Sequence, residues 1–186
     1  MSKRRNIDLA ARRAAILQAA TTVFTRYGYG RASMADIAAE AGLSRPALYA
    51  HFTSKEDVYR SLAEALTGAA LDAAEAAFPA GKAFAAGLAD AVLAKDLGFF
   101  RMVHATPHGA EILSHIPQLT ADLHAAMEQR FAKLIARRAP KSAGAGFAVT
   151  VSRAFEGVKN GAKSEAEYTA AVRRFAAILA KGIGAD

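Results

Sequence analysis

An all-α fold is predicted by three observations. Alanine dominates an apolar content of 53% while aromatic residues reach only 8%, a composition that favours helices packed through small side chains over sheets. No sustained period-2 run of β-branched residues appears. Serine caps, glycines and prolines cut the 186 residues into lengths that suit helices. A chain of this size forms one sizeable core, or a small domain followed by a medium one.

The first helix is expected over residues 11–27, with Ile16, Ala20, Val23, Phe24 and Tyr27 on one stripe and Gly28 ending it. Ser33 with Asp36 fits a helix start in which hydroxyl and carboxylate satisfy each other's backbone N–H groups. That short helix runs to about Ala41. Ile37 is its apolar anchor, and Ala38 and Ala41 are small enough to let the next helix approach. Gly42 stands where the chain must reverse, because glycine reaches positive φ without steric cost. Leu43 follows as a buried plug. Ser44 is a second cap, and Pro46 lies in the first turn, where a missing N–H costs nothing. Leu48 and Phe52, four apart, point to the core and leave Arg45, Ala47, Tyr49 and His51 on the outer side or its edges. Ser54 with Asp57 caps a further helix that carries Lys55 in its first turn. Three caps and one turn glycine within residues 33–57 agree with one another, and together they describe a helix-turn-helix whose second helix opens on arginine.

Breakers segment the remainder. Helices are predicted over 55–78, ending before Pro79, and over 82–105, ending before Pro107. A short irregular helix is expected over 107–115, bracketed by Pro117. Longer ones follow over 117–138, 144–159 and 164–183, the last opened by Ser164 with Glu167. Asn160-Gly161 would suit a hairpin, but its flanks have helical spacing, so a helix end is the better reading.

The formal net charge of +7 is unevenly distributed. Lys3, Arg4, Arg5, Arg12, Arg13, Arg26, Arg31, Arg45, Lys55 and Arg60 face five acidic residues in the first sixty, so that stretch alone carries +5. Such a concentration around a helix-turn-helix suits tracking of a phosphate backbone. The absence of cysteine excludes disulfides, thiolate catalysis and cysteine metal sites. No apolar run of about 18 residues is present, so no membrane partner is expected. The amino terminus is basic but lacks the apolar region of a secretion signal, and a cytoplasmic protein is expected.

The order Ile16-Leu17-x-Ala19-Ala20-x-x-x-Phe24-x-x-x-Gly28-Tyr29, then the helix-turn-helix, then Leu48-Tyr49-x-His51-Phe52-x-x-Lys55-Glu56-x-Val58, resembles the TetR/AcrR family of transcriptional regulators. The dense part of the match covers residues 12 to about 62. The resemblance implies a three-helix DNA-binding domain over 1–55 and a helical-bundle domain over 56–186 for effector binding and dimerisation. It implies a double-stranded DNA operator, an unknown small-molecule effector and a second copy of the chain as partners, with no cofactor and no catalytic residues. Arg45 and Pro46 would approach base edges, and Tyr49 and His51 would contact phosphate or flanking bases. Lys55 would meet phosphate at the next helix start, and Ser33 would do the same at the preceding helix. Ala47 departs from the family, which often carries a hydroxyl residue there. Alanine can touch a thymine methyl but cannot donate a hydrogen bond.

Phe147, Val151, Phe155 and Val158 on one of the last two helices form an apolar stripe, as do Tyr168, Val172, Phe175, Leu179 and Ile183 on the other. Ala154, Ala171 and Ile178 widen these stripes. The resemblance implies a four-helix pairing between two copies there, which suits a reading helix too short to specify a site alone. Phe99, Phe100, Met102, Val103, Ile112, Leu113, Phe131 and Phe155 are large among alanine-rich neighbours, so they could line an effector cavity or simply fill the core. His104, His108, Glu111 and His115 fall at i, i+4, i+7 and i+11, a spacing a divalent metal could use. Pro107 and Gly109 interrupt the helix which that geometry requires, so no metal site is expected. His104 and His108 are instead grouped with the candidate effector residues. These histidines, Glu111 and Ser114 are also the one cluster an enzyme could use, and no nucleophile–base spacing or phosphate loop accompanies them. A basic architectural protein without sequence preference is the other competitor, separable by its lack of a specific-over-nonspecific ratio.

Overall fold

The structure, a computed structural model, describes residues 2–106, 108 and 117–185. Eight α-helices and no strand are found among them: α1 Ser2–Tyr27, α2 Met34–Glu40, α3 Arg45–Tyr49, α4 Lys55–Ala77, α5 Phe84–Ala105, α6 Pro117–Arg138, α7 Phe147–Gly161 and α8 Glu165–Gly182. A 3₁₀ turn, Lys141–Ala143, precedes α7. The all-α expectation holds. The irregular helix expected over 107–115 lies outside the described residues.

Two compact units form. The first is Met1–Leu66 with Met102–Ala121, the second Thr67–Arg101 with Asp122–Asp186. In the first, Ile16, Val23 and Phe24 of α1, Ile37 of α2, Leu48 and Phe52, and Val58, Tyr59 and Leu62 of α4 make one buried core. Full burial of each such side chain is worth about 1.5–3 kcal/mol before entropy. The start of α4 thus packs as part of this unit, and Met102 and Leu119 lie half-buried against the same core. The second unit is built around Leu71, Phe78, Leu88, Val92, Phe100, Phe131, Leu134, Val151, Phe155, Tyr168 and Val172.

Several helix ends differ from the sequence reading, each for a local reason. α1 begins at Ser2 rather than near Ala11, since no glycine or proline precedes Gly28. Tyr27, expected on the buried stripe, is exposed: Gly28 turns the chain at φ 78, and the ring lies near the Arg26 guanidinium instead. α5 starts at Phe84 because Gly81 at φ 83 still belongs to the turn. α7 starts at Phe147 because Gly144 and Gly146 both hold positive φ. Its end at Gly161 agrees with reading Asn160-Gly161 as a helix terminus.

Candidate nucleic-acid interface

The helix-turn-helix assembles from its caps. The Ser33 hydroxyl accepts from the Asp36 N–H at 3.3 Å, while the Asp36 carboxylate accepts from the Ser33 N–H at 2.9 Å and from its hydroxyl at 2.6 Å. These bonds hold the Asp36 carboxyl below the usual carboxylate range. Gly42 takes φ 66, and the Leu43 N–H returns to the Ala38 carbonyl at 2.8 Å, closing the turn. Ser44 caps α3 by accepting from the Ala47 N–H, with Pro46 in the first turn as expected. At the start of α4 the Asp57 N–H donates to the Ser54 hydroxyl at 3.2 Å. The Asp57 carboxylate reaches one residue further back than a reciprocal cap, to the Thr53 N–H at 2.8 Å.

Five residues long, α3 is fixed by Leu48, which is fully buried. Its other side is open. Arg45 and Pro46 are exposed, Ala47 is half-buried and Tyr49 keeps 47% of its surface. Among the described residues neither the Arg45 guanidinium nor the Tyr49 hydroxyl has a hydrogen bond or ion pair, so a cation stands open at the front of this helix. Arg31, in the turn before Ser33, is a second exposed arginine of this kind.

The other candidates are engaged internally or enclosed. The Ser33 hydroxyl gives its hydrogen to Asp36, so no donor is left for a phosphate while the cap stands. His51 is half-buried, its Nδ1 is enclosed without a hydrogen-bond partner, and its carbonyl accepts from Arg13. The Lys55 ammonium donates to the carbonyls of Tyr29 and Ala32 at 2.8 and 2.9 Å and lies 4.3 Å from the centre of the Tyr29 ring. Arg13, counted above only as charge, is a tie: its guanidinium lies 4.1 Å over the Phe52 ring and also reaches Ser61 on α4. Its i, i+3 spacing to Ile16 gave the signal, placing it beside the buried stripe.

The candidate effector residues are divided between the two units. Met102 packs against the first core, whereas Phe131 and Phe155 are buried in the second with Phe100. Phe99 is half-buried, His104 exposed and His108 half-buried. The Val103 side chain and Ile112, Leu113, Glu111, Ser114 and His115 lie outside what is described.

The second unit holds a buried charged network that the sequence reading passed over. Lys95, 5% exposed, meets the Asp96 carboxylate at 2.6 Å and Glu156 at 3.4 Å. The Tyr168 hydroxyl donates to Asp96 at 2.6 Å, and its ring stacks on Phe100. Burial, with the carboxylates of Asp96 and Glu156, pushes the Tyr168 hydroxyl well above its ordinary value. Burial opposes the charge of Lys159, but Asp96 and Glu156 outweigh it and raise that pKa.

Residues 16–62 match the model of the bacterial regulatory proteins, tetR family. A 48-residue stretch is 50% identical to the transcriptional activator FasR of Mycolicibacterium smegmatis, covering 26% of this chain and 22% of that protein. Another of 60 residues is 38% identical to the transcriptional repressor BepR of Brucella suis, covering 32% and 29%. The chain therefore matches less than a third of the length of these curated relatives. Over nearly its full length the fold is similar to a TetR-like transcriptional regulator from Rhodococcus, with TM-score 0.66, 22% identity and coverage of 95% and 98%. Among the described residues no helix is long and apolar enough to cross a membrane.

Proposed function

We propose that this chain, a tetR-family protein by its residues 16–62, is a sequence-specific DNA-binding transcriptional regulator working as a repressor released by a small molecule. The observation that carries the reading is Arg45: an exposed guanidinium, without a partner among the described residues, in the first turn of a capped helix whose opposite side is locked into a core. A free arginine fork so placed suits bidentate recognition of guanine in the major groove. Pro46 and Ala47 add apolar contact to base edges, and Tyr49 supplies a hydroxyl for the sugar–phosphate backbone. His51 gives packing at the groove edge. Both a transcriptional activator and a transcriptional repressor lie among the similar proteins, so the direction of control is part of the proposal.

Two copies pair through α7 and α8 and read a pseudo-palindromic operator. Ala171, Phe175 and Ile178 fall at i, i+4 and i+7 on α8, and Ile178 keeps 60% of its surface, an apolar residue that a partner would cover. Residues 1–55 carry the reading head, and residues 56–186 carry effector binding and pairing. α4 is shared between the two compact units, so an effector that favours another setting of α4 changes the spacing of the reading heads. A coupling of about 1–3 kcal/mol weakens operator binding roughly 5- to 150-fold. Titration of a selected operator with and without a metabolite panel tests this. Release by one compound supports it, and identical affinity across a broad panel counts against effector control.

A further inference from the structure

The loop between α1 and α2 ends at Ser33, which caps the first helix of the helix-turn-helix. That loop is held from α4. Lys55 binds two of its carbonyls, Tyr29 and Ala32, at 2.8 and 2.9 Å, and covers the Tyr29 ring. The neighbouring Glu56 accepts from the Tyr29 hydroxyl at 3.1 Å. The ring itself packs against Tyr59 of α4 at 5.0 Å and Phe24 of α1 at 5.5 Å. Two of the three Lys55 N–H donors are therefore already taken, and the side chain is half-buried against the turn.

We propose that Lys55 is a positioning residue: with Glu56 it clasps the Tyr29–Ala32 turn and fixes the entry of α2 to the first turn of α4, instead of neutralising a phosphate. The inference rests on the DNA-binding reading above. Its physical consequence is that α4 and the reading head move as one body. A displacement of α4 reaches α2 through the turn as well as through the link to α3. The clasp is charge-assisted and partly shielded from water, conditions under which such bonds are stronger than exposed ones.

The test uses the whole protein and a duplex selected by it from a randomised pool, beside a scrambled duplex of equal length, each titrated over a range of salt well below the melting temperature. Lys55→Met is expected to weaken the selected duplex roughly 10-fold, as for a lost bond to a charged group. The slope of log affinity against log salt and the affinity for the scrambled duplex should stay unchanged. Tyr29→Phe, which removes only the hydroxyl on Glu56 and keeps the ring, should give a smaller loss with the same slope. It also keeps the proposal testable if Lys55→Met does not fold. A slope reduced by about 0.9 per lost contact, with weaker binding to both duplexes, identifies a phosphate contact and overturns the proposal. A lower melting temperature with both affinities intact identifies a merely structural residue and overturns it too. If the unmodified protein selects no duplex at all, the DNA-binding reading itself fails, and the positioning role falls with it.

Discussion

Arg45 and Lys55 carry the same charge ten positions apart, and the fold uses them in opposite ways. The arginine has no partner among the described residues, while the lysine is bound to two carbonyls. The family resemblance implied that both would face DNA; a lysine side chain is long enough to turn back on its own fold, and no sequence pattern reports that it does. Arg45→Ala is expected to remove about 1–3 kcal/mol of discrimination at the base pairs it reads and to leave an unrelated duplex nearly unaffected. Competition titrations against single-substitution duplexes check this. The serine caps were legible because their chemistry is local, and Ser33, Ser44, Ser54 and Ser164 all accept the expected N–H. The buried network was not. Lys95 and Asp96 are adjacent charges within a predicted helix and look like part of a solvated face, and Tyr168 looks like one more apolar stripe residue. Removing its central carboxylate leaves the Tyr168 hydroxyl without its acceptor and the buried Lys95 ammonium with Glu156 alone, so Asp96→Ala should cost about 3–5 kcal/mol in chemical denaturation. Tyr168→Phe, losing one bond to a charged group, should cost about 1.5–3 kcal/mol.

Each long element followed from apolar periodicity bounded by breakers, and α6 runs over the expected Pro117–Arg138. Helix starts were less legible, since a glycine such as Gly146 can begin a helix or delay it, and its positive φ is set by the turn. Close helix approach was also invisible beforehand. Gly87 in α5 faces the ring of Phe78, the residue after α4, where an added Cβ would come within 2.1 Å of Cδ2. The ring is fully buried and edge-packed on Phe84, so it has little room to shift. Gly87→Ala is therefore expected to destabilise the second unit by about 1–3 kcal/mol despite alanine's higher helix propensity, as read by thermal unfolding.

Over the whole molecule the shifted groups set a pH window for stability. Burial raises the hydroxyls of Tyr29, Tyr59 and Tyr168 above their ordinary value of 10.0. Above about pH 10 the unfolded chain releases those protons first, so stability falls as pH rises. Lys159, also raised, works in the same direction: its contribution is complete below 10.5 and disappears as pH climbs through the raised value. Glu56 is lowered by backbone and Ser54 hydrogen bonds, and Asp36 and Glu165 by bonds from Ser33 and Arg101. Their contributions are present above the ordinary carboxylate values of 3.8 and 4.5 and are lost as pH falls through the lowered ones. Melting temperature against pH should form a plateau with an alkaline shoulder starting near 10. A flat profile to pH 12 would contradict the buried-tyrosine account.

The most direct measurement is the ratio of affinities for a selected and a scrambled duplex, taken for the unmodified protein and for Arg45→Ala. A reading head built on α3 is expected to favour the selected duplex by about 10³-fold or more, and to lose a large part of that ratio when the arginine is removed. A ratio near one, or an equal loss on both duplexes from Arg45→Ala, would contradict it.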